Sequence, residues 1–225
     1  FVGPVGVGGA PARSEVAFCR GPDGVRIAYS ASGGGRPLVK AANWLTHLGY
    51  DAQSPIWRHW IEMLSAGHTL WRYDERGCGL SDWELPEFTF EDWVTDLEEV
   101  VDAANLSRFP LVGISQGAAV AIAFAARHPE RVERLALLST SPGGELPSYP
   151  LEQLAALPEH ERANRPLLLA DRRWTPEWLG EHPDDLQIVL SLAEGRSTQE
   201  SEAERDGRLA QLEARTGHDV MDRLD

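Results

Sequence analysis

Five residues near the middle of the chain have the types and the spacing of a nucleophilic serine. Gly113-Ile114-Ser115-Gln116-Gly117 fits the pattern G-x-S-x-G, with a strand pattern before it and a helix pattern after it. So sharp a turn forces Ser115 into a sparsely populated backbone conformation such as φ > 0, and it requires small neighbours such as Gly113 and Gly117. The sequence therefore predicts a raised hydroxyl at the C-terminal edge of a sheet, able to attack a carbonyl carbon.

The residue after this serine suits a second part of the same chemistry. The backbone amide of Gln116 would lie at a helix N-terminus, where unpaired N–H groups and the helix dipole favour a developing oxyanion. Other chemical patterns are weaker. Gly6-Val7-Gly8 lacks the third glycine of a dinucleotide loop, and His160-Glu161 lacks the second histidine of a zinc-protease helix. We therefore expect no cofactor and no metal.

Strand and helix patterns alternate on both sides of the serine. Strands are predicted at Val16–Cys19, Arg26–Ser30, Pro37–Ala41, Thr69–Tyr73, Phe109–Ile114 and Val132–Leu138. Helices are predicted from Ser54 to Ala66, from a capping box at Thr89 and Asp92 to Asn105, and from Ala118 to Arg127. This alternation indicates an α/β fold, a mostly parallel sheet with flanking helices in which Phe109–Ile114 is a central strand.

The chain changes character after Pro142. Helices are predicted to begin at Thr175-Pro176, Pro183 and Thr198, the segment is acidic, and no strand pattern follows. We interpret residues 143–217 as a helical lid over a core formed by residues 13–142. Residues 1–12 would be a flexible tail, and residues 218–225 would begin a helix that leads back to the core.

Two further motifs carry a family resemblance. Asp74-Glu75-Arg76-Gly77-Cys78-Gly79-Leu80-Ser81 resembles the D-x-R-G-x-G-x-S loop that follows the fourth strand of α/β hydrolases, where Asp74 and Arg76 would hold the loop. Arg127–Val132 resembles the link from the nucleophile helix to the next strand of that superfamily, with His128 as a turn residue. Together with the serine motif, these residues resemble the serine-nucleophile branch of the α/β-hydrolase superfamily over nearly the whole chain.

The loop after the third strand departs from the pattern of that superfamily. The resemblance implies His-Gly at this point, where a backbone amide completes the oxyanion hole, but the chain has Ala42-Asn43-Trp44. The resemblance then implies that the backbone amide of Trp44 is the second donor. We expect its N–H to share one oxygen position with that of Gln116, near Ser115.

The same stretch also supports an alternative without catalysis. Lys40–Leu45, with Trp57-Arg58-His59-Trp60 downstream, resembles hydrolase-like domains that some bacterial signalling and transcription-regulator proteins carry beside a DNA-binding or cyclase module. Such a domain would keep the fold and use its pocket to sense a ligand. Trp44, Trp83, Trp174 and Trp178 are candidates to line an apolar pocket.

A serine nucleophile needs a base and an orienting acid, and the sequence offers neither in the expected place. In the resembling fold, the order is Ser, then Asp or Glu, then His, with the last two after further strands. His218 follows Gly217 and imitates the Gly-His signature, but it precedes an amphipathic helix pattern at Asp219–Leu224. The sequence therefore predicts a C-terminally incomplete hydrolase fold that stops before its acid and His, with His218 as the fallback base.

The composition of the chain disfavours some classes of binding partner. The formal net charge is −14 and Lys40 is the single lysine, so nucleic acid and anionic membranes are disfavoured. No apolar run reaches the length of a membrane helix, and residues 1–12 lack the pattern of a signal peptide. Cys19 and Cys78 are the two cysteines and form no C-x-x-C pair, which favours a reduced, cytoplasmic setting.

The leading hypothesis from the sequence is a serine hydrolase acting on a small ester or a related acyl or C–C bond. Ser115 would attack, with the amides of Gln116 and Trp44 stabilising the oxyanion. The partner is a small-molecule substrate, or a small-molecule ligand in the sensing alternative. The oligomeric state is not predicted.

Overall fold

The described part of the chain forms one mixed β-sheet with helices on both faces. The computed structural model describes residues 15–54, 57–83, 85, 87–140, 143, 171, 173–194, 201–215 and 218–224. The predicted tail at residues 1–12 and the predicted helix start at Thr198 lie outside these ranges.

Six strands make up this sheet. They are β1 (Val16–Arg20), β2 (Arg26–Gly33), β3 (Arg36–Lys40), β4 (His68–Tyr73), β5 (Phe109–Ile114) and β6 (Val132–Leu138). Their spatial order is β1-β2-β4-β3-β5-β6. The pairings β1–β2 and β2–β4 are antiparallel, whereas β3–β4, β3–β5 and β5–β6 are parallel. The predicted α/β class is therefore confirmed, and β5 lies between β3 and β6.

The helices that precede or follow the strands are mostly short. They are α1 (Leu48–Asp51), α2 (Arg58–Ser65), α3 (Phe90–Ala103), α4 (Gln116–Arg127), α5 (Pro176–Glu181), α6 (Pro183–Glu194) and α7 (Glu202–Arg215). Thr175 caps α5 by accepting from the N–H of Trp178, and Thr89 and Asp92 form the predicted capping box of α3. None of the described helices is long and apolar enough to cross a membrane.

Two groups of buried side chains hold the layers together. One face of the sheet packs on α3 and α4, through Trp93, Leu97, Leu111 and Phe124 among others. The opposite face carries Leu38, Leu70 and Val112, against which Ile61 and Leu64 of α2 pack. Because helices cover both faces of the sheet, side chains of β5 are packed on both sides of the strand that ends at Ser115.

Two predictions about the elements need correction. The short helix α1 at Leu48–Asp51 was not predicted, because four residues give no readable periodicity. The predicted helix at Asp219–Leu224 is wrong: Met221–Arg223 forms a single 3-10 turn, and Asp219 pairs with Gly143 in a β-bridge. The side chain of Asp219 accepts a hydrogen bond from the N–H of Met221 at 2.9 Å, which favours a turn over a continuing helix.

Candidate active site

Ser115 occupies the strained turn that its motif predicts. Its φ is 55° and its ψ is −124°, and it links the end of β5 directly to the first residue of α4. Residues other than glycine rarely adopt such a conformation, because their Cβ crowds the backbone. Ser115 is exposed, whereas Gly113 and Gln116 on either side are buried. The strained geometry and the central position of β5 are therefore confirmed.

The two glycines of the motif are required by close contacts. A Cβ on Gly113 would lie 2.4 Å from the Cα of Ala118, and a Cβ on Gly117 would lie 2.3 Å from the carbonyl oxygen of Ala42. Neither contact can be relieved by rotating a side chain, since both involve backbone atoms. The second contact also shows that the loop after β3 lies against the first turn of α4.

Backbone hydrogen bonds fix the turn to the neighbouring strand. The N–H of Ser115 donates to the carbonyl of Leu138 at 3.0 Å, and the hydroxyl of Thr140 donates to the carbonyl of Ser115 at 3.0 Å. Within the described ranges, no His, Asp or Glu side chain forms a hydrogen bond with the Ser115 hydroxyl. The turn is thus positioned by one bond to the backbone of β6 and one from the side chain of Thr140, which follows β6.

Gln116 is the first residue of α4, and its side chain is held by a carboxyl group. The leading N–H groups of a helix have no acceptor within the helix, which leaves those of Gln116 and Gly117 available at the turn. The side-chain Nε2 of Gln116 donates to Oε1 of Glu75 at 3.0 Å, and both side chains are buried. Glu75 occupies a variable position of the D-x-R-G-x-G-x-S pattern, so the motif by itself predicts no role for it.

The loop Ala42–Trp44 lies beside the turn, as the resemblance implies. The N–H of Thr46 donates to the carbonyl of Asn43 at 3.2 Å, and Leu45 has a φ of 56°, so the chain reverses here. The side chain of Trp44 is partly buried. The direction of its backbone N–H stays a prediction.

The loop after β4 is held by its acidic and basic residues. Oδ2 of Asp74 accepts hydrogen bonds from the backbone N–H groups of Leu48 and Leu80 at 3.1 and 2.9 Å. The guanidinium of Arg76 is buried against Asp96, with its nearest nitrogen 2.7 Å from Oδ1. These bonds agree with the structural role that the sequence predicts for Asp74 and Arg76.

Lys40, the first residue of the stretch Lys40–Leu45, is buried near the site, which the sequence did not predict. Burial at the end of β3 lowers the pKa of Lys40 to about 8. Its ammonium donates to Oδ1 of Asn43 at 2.6 Å and lies 5.2 Å from the centre of the Trp57 ring. Burial likewise raises the pKa of Asp51 to about 6. The one indication of this buried lysine in the sequence is its position directly after the apolar pair Leu38-Val39.

The described histidines after the serine are engaged elsewhere. The ring of His218 stacks on Phe90 with 5.3 Å between centroids, and its Nδ1 hydrogen-bonds the carbonyl of Arg215 at 2.8 Å. His182 stacks on Trp178, and Nε2 of His128 lies 2.8 Å from a carboxylate oxygen of Glu98. His160 lies outside the described residues. No contact in the described part of the chain brings His218 to Ser115.

An open cavity of about 200 Å³ lies between the loop after β3, the loop after β4 and α7. It is lined by Leu45, Thr46, His47, Cys78, Gly79, Trp83, Glu204 and Arg208. Trp83 is thus one of the predicted pocket tryptophans that lines a cavity. Among the described residues, no cluster of three or more His, Cys, Asp or Glu could hold a metal ion.

Comparison with known proteins identifies the family. Residues 46–218 match the family model described as alpha/beta hydrolase fold, so the chain belongs to that family. A hydrolase from Pseudomonas aeruginosa of known structure superposes with a TM-score of 0.66 at 25% identity, over 93% of this chain and 75% of that one. The enol-lactonase of Burkholderia xenovorans superposes with a TM-score of 0.65 at 22% identity, over 91% and 75% of the two chains, and supports the fold alone.

Curated relatives match about half of the chain. A putative carbamate hydrolase of Agrobacterium fabrum is 32% identical over 47% of this chain and 41% of its own length. A 2-hydroxymuconate semialdehyde hydrolase of a Pseudomonas species is 31% identical over 52% of this chain and 41% of its own length. The matched region thus spans less than half of either relative, and both relatives are hydrolases by name.

Proposed function

We propose that the chain is the nucleophile-bearing part of a serine hydrolase in which Ser115 attacks the substrate. The observation that carries this proposal is the backbone of Ser115, with φ 55° and ψ −124° at the junction of β5 and α4. Such strain persists only where the surrounding structure enforces it, and it clusters at functional sites. The exposed hydroxyl beside free helix N–H groups supports a role in nucleophilic catalysis.

In this proposal, the hydroxyl of Ser115 adds to the carbonyl carbon of the substrate, and the carbonyl oxygen becomes an oxyanion. The N–H of Gln116 stabilises that charge from the N-terminus of α4, and the N–H of Trp44 is the second donor. The base that takes the serine proton, and the acid that orients it, come from residues other than the described ones. Collapse of the intermediate expels the leaving group and leaves an acyl-serine that water hydrolyses.

The proposed substrate is a small ester or a related acyl or C–C bond. The relatives named as a putative carbamate hydrolase and a semialdehyde hydrolase support this range, because both names denote hydrolases of small carbonyl compounds. A net charge of −14 and two free cysteines agree with a small-molecule substrate and a reduced, cytoplasmic setting. Residues 143–217 act as a helical lid, which is supported by a hydrogen bond from Gln211 of α7 to the carbonyl of Arg76 at 2.8 Å.

The alternative is a sensing domain that binds a small ligand without turnover. Asn43-Trp44 in place of His-Gly, and a buried Lys40 behind that loop, favour it over an ordinary enzyme. A sensor needs the pocket but not a reactive hydroxyl. Reactivity of Ser115 therefore separates the two proposals.

The experiment is covalent labelling with a fluorophosphonate, beside hydrolysis of an activated small ester. We expect labelling of the whole protein, in which the base and the acid are present, and none in its Ser115→Ala variant. Ser139→Ala is the matched control, because Ser139 is also an exposed serine with positive φ (50°) at the end of a strand, but no helix begins there. Equal labelling of Ser115→Ala and wild type would overturn the enzymatic proposal in favour of the sensor.

A further inference from the structure

A buried pair links the loop after β4 to the first residue of α4. Nε2 of Gln116 donates to Oε1 of Glu75 at 3.0 Å across a separation of 41 residues. Glu75 is 1% exposed and Gln116 is 7% exposed, so water does not replace this bond. The side-chain Oε1 of Gln116 is also buried and finds no donor among the described residues. A buried acceptor without a donor costs free energy. With an ionised Glu75, the pair therefore has one hydrogen bond and one buried acceptor without a donor.

The groups around Glu75 disfavour its negative charge. Those within electrostatic range are Lys40 of β3, Tyr73 of β4, Asp74 and Cys78 of the loop after β4, and Asp96 of α3. Two of these, Asp74 and Asp96, are carboxylic acids, and Lys40 is the one cation among them. The guanidinium of the adjacent Arg76 is already bound to Asp96 and to Asp23, at 2.7 and 2.6 Å. Burial first, and then Asp96, raise the pKa of Glu75 well above its usual range.

A neutral carboxylic acid supplies what the pair lacks. Its carbonyl oxygen accepts from Nε2 of Gln116, and its O–H is a donor for Oε1 of the same amide. We propose that Glu75 is a positioning residue that pairs, as a neutral acid, with the side chain of Gln116 and thereby fixes the first turn of α4. Since Gln116 contributes the N–H next to the nucleophile, this inference rests on the proposed function of Ser115.

The pairing of Glu75 with Gln116 predicts that the reactivity of Ser115 falls as the pH rises. Below its raised pKa, Glu75 is protonated, the pair is complete and no negative charge lies beside the oxyanion. As the pH rises through that pKa, Glu75 loses its proton, Oε1 of Gln116 loses its donor, and a buried negative charge opposes the developing oxyanion. The reactivity of Ser115 should then decline on the alkaline side.

The experiment compares the rate of fluorophosphonate labelling across pH in wild type, Glu75→Gln and Glu75→Ala. Glu75→Gln keeps the shape and neutrality, so we expect its rate at neutral pH to stay within about threefold of wild type, without the alkaline decline. Glu75→Ala should lower the rate by about tenfold at neutral pH, a smaller loss than removal of an oxyanion donor, and should also lack the alkaline decline. Lys40→Met is the control, because Lys40 also titrates in the alkaline range and the decline should persist without it. Thermal unfolding of each variant reports any loss of fold.

A second measurement does not depend on catalysis. The infrared C=O band of a protonated carboxyl, assigned by its loss in Glu75→Gln, should be present at neutral pH and disappear on alkaline titration. Its absence at neutral pH would overturn the inference, even if no variant were labelled. Labelling of wild type with an unchanged alkaline decline in Glu75→Gln would also overturn it, while leaving the proposed function intact. Failure of wild type to label, with the infrared band present, would instead contradict the proposed function.

Discussion

At the scale of single residues, steric contacts at one turn decide the geometry of the candidate site. Ser115 has a positive φ, and the backbone of Ala118 and Ala42 leaves no room for a Cβ at Gly113 or Gly117. Each of these contacts lies within hydrogen-bonded structure and cannot relax cheaply. The residue types of the motif are therefore dictated by shape before any chemistry is considered.

Gly117→Ala tests this steric argument. The added Cβ would lie 2.3 Å from the carbonyl oxygen of Ala42, so we expect a loss of about 1–3 kcal/mol in the free energy of unfolding and slower labelling of Ser115. Gly180→Ala is the matched control, since Gly180 is also helical but no atom lies within 4 Å of its added Cβ. There we expect a gain of up to about 1 kcal/mol from helix propensity. If thermal or urea unfolding showed the free energy of unfolding to change with the same sign in both variants, the steric argument would be refuted.

His218→Ala tests whether that histidine is the base. Its ring stacks on Phe90 and its Nδ1 binds the carbonyl of Arg215, so we expect the labelling rate of Ser115 to be unchanged. The lost ring contact should lower the free energy of unfolding by about 1 kcal/mol. A triad histidine would give a drop of about 10⁴-fold in labelling or ester hydrolysis. A drop of that size would show that His218 is the base and would contradict a purely structural role.

At the scale of elements, the site depends on how loops are fastened to helices. Arg76 joins the loop after β4 to α3 through Asp96, and both side chains are buried. The same loop contacts α4 through Glu75 and α7 through the carbonyl of Arg76. One loop thus connects three helices next to the turn at Ser115.

Asp96→Ala tests how much the buried ion pair between Arg76 and Asp96 stabilises the fold. It leaves the buried guanidinium of Arg76 with the more exposed carboxylates of Asp23 and Asp92, at 2.6 and 3.8 Å, and we expect a loss of about 3 kcal/mol in the free energy of unfolding. Glu133→Ala is the control, because it breaks an ion pair with Arg36 whose side chain is 77% exposed. That loss should stay below about 1 kcal/mol. Comparable losses in denaturant unfolding would contradict the role given to the buried pair.

At the scale of the whole molecule, alternation of strands and helices was readable from the sequence and long-range polar contacts were not. Phe109–Ile114 and Val132–Leu138 have the predicted bounds, because both are rich in apolar residues and are closed by clear turn signals. The pairing of Glu75 with Gln116 depends on how two loops meet, which no local pattern encodes. The helix predicted at Asp219–Leu224 failed because amphipathic spacing does not reveal the bridge from Asp219 to Gly143.

Asp51 gives the stability of the fold a dependence on pH. Burial raises its pKa from 3.8 to about 6, so the folded chain keeps a proton that the unfolded chain has lost between these values. The contribution of Asp51 is therefore complete below pH 3.8 and declines as the pH rises to about 6. We expect the melting temperature of wild type to fall relative to Asp51→Asn over this range. Parallel melting curves for the two proteins would contradict the burial of this carboxyl group.

The central claim is that Ser115 attacks a carbonyl whose oxygen is received at the N-terminus of α4. A crystal structure of the protein after reaction with a fluorophosphonate tests it most directly. We predict a covalent bond from Oγ of Ser115 to phosphorus, with the phosphoryl oxygen about 3 Å from the backbone nitrogens of Gln116 and Trp44. Phosphorus on another residue, or a phosphoryl oxygen directed away from Gln116, would contradict the claim.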